Sequence, residues 1–262
     1  MDKSEERTQQ RILDLASLAD RRGIITYTDF LNLNEQNIFH STVGKVSFVK
    51  WKLFGGYAKA ERQLAAFIPD ALYFRYAWND DQTEDPISFP ITCLKIRPLN
   101  LRFSEELSHR DYLGAILNLG IDRSVIGDIL IDQGQTYLFC LNKISDFLCD
   151  TLTRIKHTSV LCQPYDGEIA DILIRTEIIN GTVASIRLDT LLALAWKTSR
   201  SSLVRLIEEG RVFVNGKCIT SNGYHVKEQD LISARGLGRF IYHRTLSQTK
   251  KGRFLVTIEK YI

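Results

Sequence analysis

Arg187-Leu188-Asp189-Thr190-Leu191-Leu192-Ala193-Leu194-Ala195-Trp196-Lys197-Thr198-Ser199-Arg200-Ser201-Ser202 is the stretch on which the reading of this chain turns. Leu188, Leu191, Leu192 and Ala195 recur at i, i+3, i+4 and i+7, the spacing of an amphipathic helix. Asp189 favours the start of that helix. Lys197-Thr198-Ser199 interrupts the pattern, and Ser199 or a neighbouring serine offers an N-cap for a second helix carrying Leu203, Leu206 and Ile207 inward. Gly210 suits the left-handed position after it. Asn215-Gly216 between apolar residues predicts a two-residue hairpin turn with Lys217 at its tip. Strands are expected at residues 231–235 and 239–243 around a Gly236-Leu237-Gly238 turn. Lys250-Lys251-Gly252-Arg253 reads as a basic turn before a last strand, 254–261.

Charge sets this segment apart. From Arg187 onward there are 14 Lys and Arg against 6 Asp and Glu, a net of +8, whereas residues 1–186 hold 20 against 25, a net of −5. A near-neutral total therefore conceals a basic end on an acidic body, and such asymmetry points to nucleic acid. The start of the second helix could meet a phosphate through its free N–H groups, its serine hydroxyls and the Arg200 guanidinium, with Lys197 just before it and Arg205 further along.

The rest of the chain reads as a folded α+β body. Residues 4–22 have a helical apolar stripe and Gly23 as a stop. A second helix is expected after Thr26 or Thr28, with Phe30 and Leu31 inward. Phe54-Gly55-Gly56-Tyr57 is read as a turn leading into a helix from Ala58 to Phe67, closed by Pro69. The turn would place backbone N–H groups and Tyr57 beside an anion-favouring helix N-terminus, with Arg62 one turn further on, or would serve only as loop-to-helix punctuation. The polar, acidic stretch from Asn79 to Pro90 reads as a domain boundary. Between 91 and 162 the order strand, helix, strand, strand, helix, strand is the ferredoxin-like arrangement, which RNA-recognition domains also use. Its second helix is read through Ile144, Phe147, Leu148, Leu152 and Ile155. Tyr137 and Phe139 share a strand face and are assigned to the core. A hairpin through Asn180-Gly181 is expected to lead into Arg187. The domains are placed at 1–80, 81–186 and 187–262.

Several classes are disfavoured. The N-terminus carries both signs of charge and no apolar run, unlike a secretory signal. No apolar run approaches the ~20 residues of a membrane span. Cys93, Cys140, Cys149, Cys162 and Cys218 are an odd number without knuckle spacing, as expected of free thiols in a reducing cytoplasm. No metal, cofactor or catalytic residue is expected.

The order of features from Arg187 onward resembles the S4 RNA-binding module. Glu35-Gln36, Phe54-Gly55-Gly56-Tyr57, Glu61-Arg62, Pro69, Gly127-Asp128-Ile129 and Arg235-Gly236-Leu237-Gly238-Arg239-Phe240 extend the resemblance to the YlmH-type S4-domain proteins across nearly the whole chain. That family implies a helical or mixed N-terminal domain, an RNA-recognition-like middle and a C-terminal S4 domain. It implies binding to RNA of the large ribosomal subunit, with tRNA as a further partner. A cytoplasmic monomer without membrane insertion is expected. Bacterial members are linked to rescue of stalled translation and to cell division, and a cyanobacterial and plastid branch carries a photosystem II label. The resemblance assigns RNA contact to Arg187, Lys197, Ser199, Arg200, Arg205 and Lys217, and Arg235 and Arg239 are further candidate RNA-binding residues. It assigns a second functional surface to Gly55, Gly56, Tyr57 and Arg62. Leu203 stands where S4 modules often have a small residue. Two alternatives stay open: an RNA-modifying enzyme, because S4 modules are often attached to catalytic domains, although the superficial likeness of Arg187-Leu188-Asp189 to a pseudouridine synthase segment falls at the opening of the S4 unit, and a photosystem II assembly factor.

Overall fold

A computed structural model describes residues 3–58, 60–77, 87–100, 102, 104–132, 134–165, 167 and 176–261, with only the backbone described at 75–77 and 200. The chain forms two compact units, residues 1–173 and 174–262.

In the first unit α1 (Lys3–Arg22) buries Ile12, Ala16 and Ala19 along one stripe. It stops at Gly23, whose φ of +64° is the left-handed turn that glycine adopts cheaply. The expected helix after Thr26 or Thr28 starts later. β1 (Thr26–Tyr27) pairs with Phe67 and Ala66 as a strand. α2 (Leu33–Val43) then begins at an Asn32 cap, where Asn32 Oδ1 accepts from Glu35 N and Glu35 Oε2 accepts from Asn32 N. β2 (Val49–Phe54), β3 (Leu64–Pro69) and α3 (Asp70–Ala77) follow. The three strands form one sheet in the order β1-β3-β2.

The helix expected from Ala58 to Phe67 is absent. Leu64-Ala65-Ala66-Phe67-Ile68-Pro69 is the central strand, buried at all six positions. A short apolar run covered on both faces has no periodicity to separate strand from helix, and pairing on both sides decided it. Pro69 ends that strand. Residues 78–86, most of the acidic boundary stretch, lie outside the described residues.

The middle part carries β4 (Ile91–Pro98), α4 (His109–Asn118), β5 (Ile126–Asp132), β6 (Gln135–Leu141), α5 (Asn142–Thr151), β7 (Arg154–Ile155) and β8 (Thr158–Pro164). All pairings are antiparallel in the order β5-β6-β4-β8-β7. Without the two-residue β7 this is the ferredoxin-like order. Ile155 belongs to β7 rather than to the helix. Tyr137 and Phe139 are core residues, 8% and 0% exposed.

The second unit contains β9 (Thr176–Val183), α6 (Leu188–Trp196), α7 (Arg200–Glu208), β10 (Val212–Val214), β11 (Lys217–Cys218), β12 (Leu231–Ala234), β13 (Gly238–Gln248) and β14 (Phe254–Tyr261). The sheet order is β11-β10-β12-β13-β14-β9. Leu191, Leu192, Leu203 and Ile207 from the helices pack on Phe240, Val256 and Ile258 from the sheet.

Asn180-Gly181 is not a turn. It lies within β9, which pairs with β14 from Thr176↔Tyr261 to Val183↔Phe254. A Cβ on Gly181 would come within 2.3 Å of Leu194 Cδ1. The glycine thus serves close helix-on-strand packing. The strand edge before Arg187 therefore belongs to the C-terminal sheet, and the division drawn at 186 falls inside one compact unit.

Candidate nucleic-acid interface

The C-terminal unit brings its cations together around the α6–α7 junction. α6 ends at Lys197, which caps the helix in the left-handed conformation (φ 51°, ψ 37°) and is exposed. Trp196 Nε1 donates to Leu237 O at 2.9 Å and so ties the end of α6 to the β12–β13 turn. Arg235 and Arg239 flank that turn. The Arg235 guanidinium lies 5.3 Å from the Phe213 ring centroid, and that of Arg239 lies 4.4 Å from the Tyr261 centroid. Such stacking fixes the plane of each guanidinium.

Ser199 occupies the N-cap of α7, as expected, but its side chain makes no capping hydrogen bond. Its hydroxyl instead meets those of Ser201 at 3.2 Å and Ser202 at 3.0 Å, and Ser202 Oγ donates to Ser199 O. The first-turn N–H groups of α7 are thus left uncovered by the cap side chain, beside exposed hydroxyls and Lys197. A helix start so arranged can receive an oxyanion such as a phosphate. Arg200 starts the helix, and its side chain lies outside the described residues.

Not every assigned residue joins this cluster. Arg187 caps the opposite end of α6, about 15 Å away at the helical rise. Its Nε and Nη2 donate to the buried Asp189 carboxylate at 3.2 and 3.4 Å, which leaves other N–H groups of the fork for a ligand. Asp189 therefore holds Arg187 rather than capping α6. Arg205 is highly exposed, but its Nε donates to Glu209 at 2.7 Å and holds that carboxyl below its usual range. Lys217 is exposed at the hairpin tip. Asn215 and Gly216 take φ of 48° and 77° there, and Asn215 Nδ2 donates to Asp230 Oδ1 at 2.7 Å.

Arg211 joins these residues without any local signal in the sequence. Its Nη2 donates to Arg235 O at 3.2 Å, and its Nη1 lies 3.5 Å from Glu209. The β10–β12 pairing sets Val212 opposite Ala234, so residue 211 falls beside 235. That register was the missing signal.

Gly55, Gly56, Tyr57 and Arg62, assigned to a second surface, are buried. Tyr57 Oη donates to Asp128 Oδ2 at 2.6 Å, Glu61 N donates to the same oxygen at 2.7 Å, and Arg62 N donates to Oδ1 at 3.1 Å. The Arg62 guanidinium donates to the carbonyls of Ile126, Phe30 and Arg123 at 2.9, 2.9 and 3.2 Å. Burial lowers the pKa of Arg62, against the raising influence of Glu35, Asp128 and Glu61. A Cβ on Gly56 would meet Phe139 at 2.4 Å, and one on Gly55 would meet Arg62 O at 2.2 Å. The anion-binding helix N-terminus expected here does not exist, because the following residues form β3.

Three family models match successive parts of the chain: "YlmH, N-terminal" over residues 4–71, "Putative RNA-binding domain in YlmH" over 86–168 and "S4 domain" over 186–232. The chain belongs to the YlmH-type S4 family. A relative from Bacillus subtilis (strain 168), "Ribosome-associated protein quality control protein P2", is 28% identical over 98% of this chain and 96% of its own length. A solved structure described as "Cell division protein ylmH from Streptococcus pneumoniae" is similar at 18% identity and a TM-score of 0.48, over 63% of this chain and 93% of that one.

In this YlmH-type chain the sequence landmarks of the first unit converge on one joint. Gln36 Nε2 donates to Leu31 O and Glu61 O at 3.1 and 2.6 Å. Tyr57, Glu61 and Arg62 meet Asp128, and Gly127 lies where a Cβ would touch the Phe30 ring at 2.7 Å. The pattern that looks like a ligand site is a buried polar seam between the N-terminal sheet and the ferredoxin-like part. Leu203 is fully buried, so the larger side chain at this S4 position fills core.

Proposed function

We propose that this YlmH-type chain is a non-enzymatic RNA-binding protein that docks its C-terminal unit on structured RNA of the large ribosomal subunit and serves ribosome-associated protein quality control. The observation that carries this reading is the α6–α7 junction. Exposed Lys197, the uncovered first turn of α7 and the Arg211–Arg235 pair lie together on a unit of net charge +8. Fixed cations and backbone N–H groups read phosphate position and RNA shape rather than base sequence. The name of the Bacillus subtilis relative supports the ribosomal setting. A tRNA held on the same subunit is a second RNA partner within the proposal, and the protein acts as a monomer. Among the described residues no helix is long and apolar enough to cross a membrane.

The test is binding of the full chain to purified large ribosomal subunits across a salt series. Replacing Lys197 and Arg235 together with Gln should weaken binding and make the plot of log affinity against log salt shallower by about 2. An unchanged slope in a folded variant would remove these residues from the interface. A protein-dependent change in the RNA nucleoside masses would replace the non-enzymatic reading with a modifying activity.

A further inference from the structure

The β13–β14 hairpin ends in Thr249-Lys250-Lys251-Gly252-Arg253, beyond the 186–232 matched by the S4 model. The tip is closely built. Thr249 N donates to Arg253 O at 2.7 Å, Gly252 N to Thr249 O at 2.9 Å, and Arg253 N to Thr249 Oγ1 at 3.1 Å. Gly252 supplies the left-handed φ of +74° that closes the turn. Arg253 Nη2 donates to Thr182 O at 2.7 Å and binds the tip to the neighbouring strand β9.

Lys250 and Lys251 are exposed, and among the described residues neither has an ion-pair partner. No carboxylate occurs in residues 244–258, or in 178–188 on the strand alongside and the turn after it. The tip therefore differs from Arg205, whose charge Glu209 offsets. Position matters as much as charge. β13 runs from Gly238, at the turn that Trp196 pins to α6, to Gln248 beside the tip. Those 11 residues span about 30 Å at the rise of an extended strand. The Lys197–Arg235 cluster and the lysine tip thus stand at opposite ends of one strand.

We infer that the Lys250-Lys251 tip is a second RNA-phosphate contact, so that the C-terminal unit grips a folded RNA at two points a strand's length apart. The inference rests on the RNA-binding reading above and adds a site to it. Two flexible ammonium groups on a fixed turn suit phosphate oxygens, which accept from a point charge in any orientation. A short RNA seated at the α6–α7 junction cannot reach the tip, whereas a long helix can.

The experiment uses the full chain, unaltered and with Lys250→Gln and Lys251→Gln combined. It measures binding across a salt series to an RNA stem of roughly 16 base pairs, a length one compact domain spans, and to one of about half that. The expected result is a slope shallower by about 2 on the longer stem and no change on the shorter. No change on either stem, or an equal loss on both, overturns the two-point grip. So does weakened binding to intact large subunits with both naked stems unaffected, which would make the tip's partner an acidic protein surface. If the unaltered chain binds neither stem, the RNA-binding reading falls and this inference with it. If Lys197→Gln with Arg235→Gln lowers the slope and the tip variant does not, only the second contact is lost. Circular dichroism of each variant establishes that an exposed turn was changed and not the fold.

Discussion

The phenolic hydroxyl of Tyr57 donates to Asp128 Oδ2 at 2.6 Å across 71 residues of chain. The same carboxylate accepts from the backbone N–H groups of Glu61 and Arg62, so one aspartate holds the 57–62 segment against β5. This joint replaces the ligand surface expected from Gly55-Gly56-Tyr57 and Arg62.

Tyr57→Phe should destabilise the first unit by about 1.5–3 kcal/mol, the range for a hydrogen bond to a charged partner. Asp128→Asn should cost at least as much, because an amide cannot serve all three donors equally. The two changes should be non-additive in a double-mutant cycle read by urea unfolding. A cluster that binds ligand without supporting the fold would leave the unfolding midpoint where it was.

Lys197 pays for its exposed position with a left-handed backbone. Lys197→Gly should raise the stability of the C-terminal unit by roughly 0.5–1 kcal/mol, less than the full strain because glycine also loosens the unfolded chain. The same change should weaken RNA binding. Thermal unfolding and a salt-dependent RNA titration should therefore move in opposite directions.

Leu203 is fully buried among the residues of the C-terminal core. Leu203→Ala, toward the small residue common in S4 modules, should cost about 2–5 kcal/mol, depending on how far α6 and α7 close over the space. A denaturation midpoint unchanged from that of the unaltered chain would show that the position tolerates either size.

Burial pushes the Cys93 and Cys140 thiols up to about 12 from an ordinary 9.0, and raises Cys162 as well. Because the folded values exceed the unfolded one, the contribution to stability is complete below pH 9.0 and is lost as pH rises toward about 12. A thiol reagent at mild pH should modify the half-buried Cys149 and Cys218 first, and all five cysteines only in denaturant. Rapid labelling of all five in the folded protein would contradict this packing.

Asp111 titrates at about 2, held down first by Lys156 and then by Ser108 at the start of α4. With the folded value below the ordinary 3.8, this link is intact above that pH and is lost as pH falls through about 2. Carboxyl NMR should find that midpoint, and Lys156→Met should move it upward.

Legibility followed the range of the interactions that decide each element. α1, α6, α7 and the Asn215-Gly216 turn were readable because helical spacing and left-handed turn chemistry are local. The Asn180-Gly181 pair carries the same local signal, yet it lies in a continuous strand, because β14 supplies pairing partners more than 70 residues later and Leu194 packs onto the glycine. Likewise, 64–69 contains good helix formers but sits between β1 and β2.

Residue order and composition alone establish that the C-terminal segment is basic, that a helix pair and a tight hairpin lie within it, and that the ordered landmarks are those of a YlmH-type chain. Composition, periodicity and turn chemistry are written residue by residue. Which cations stand together depends on the folded chain. Antiparallel register set Arg211 beside Arg235, one indole hydrogen bond drew the β12–β13 turn to Lys197, and the length of β13 carried Lys250 and Lys251 to the far end. The same packing turned Tyr57 and Arg62 inward. Charge can be counted along a chain, but its alignment and exposure depend on strand pairing and burial between distant residues.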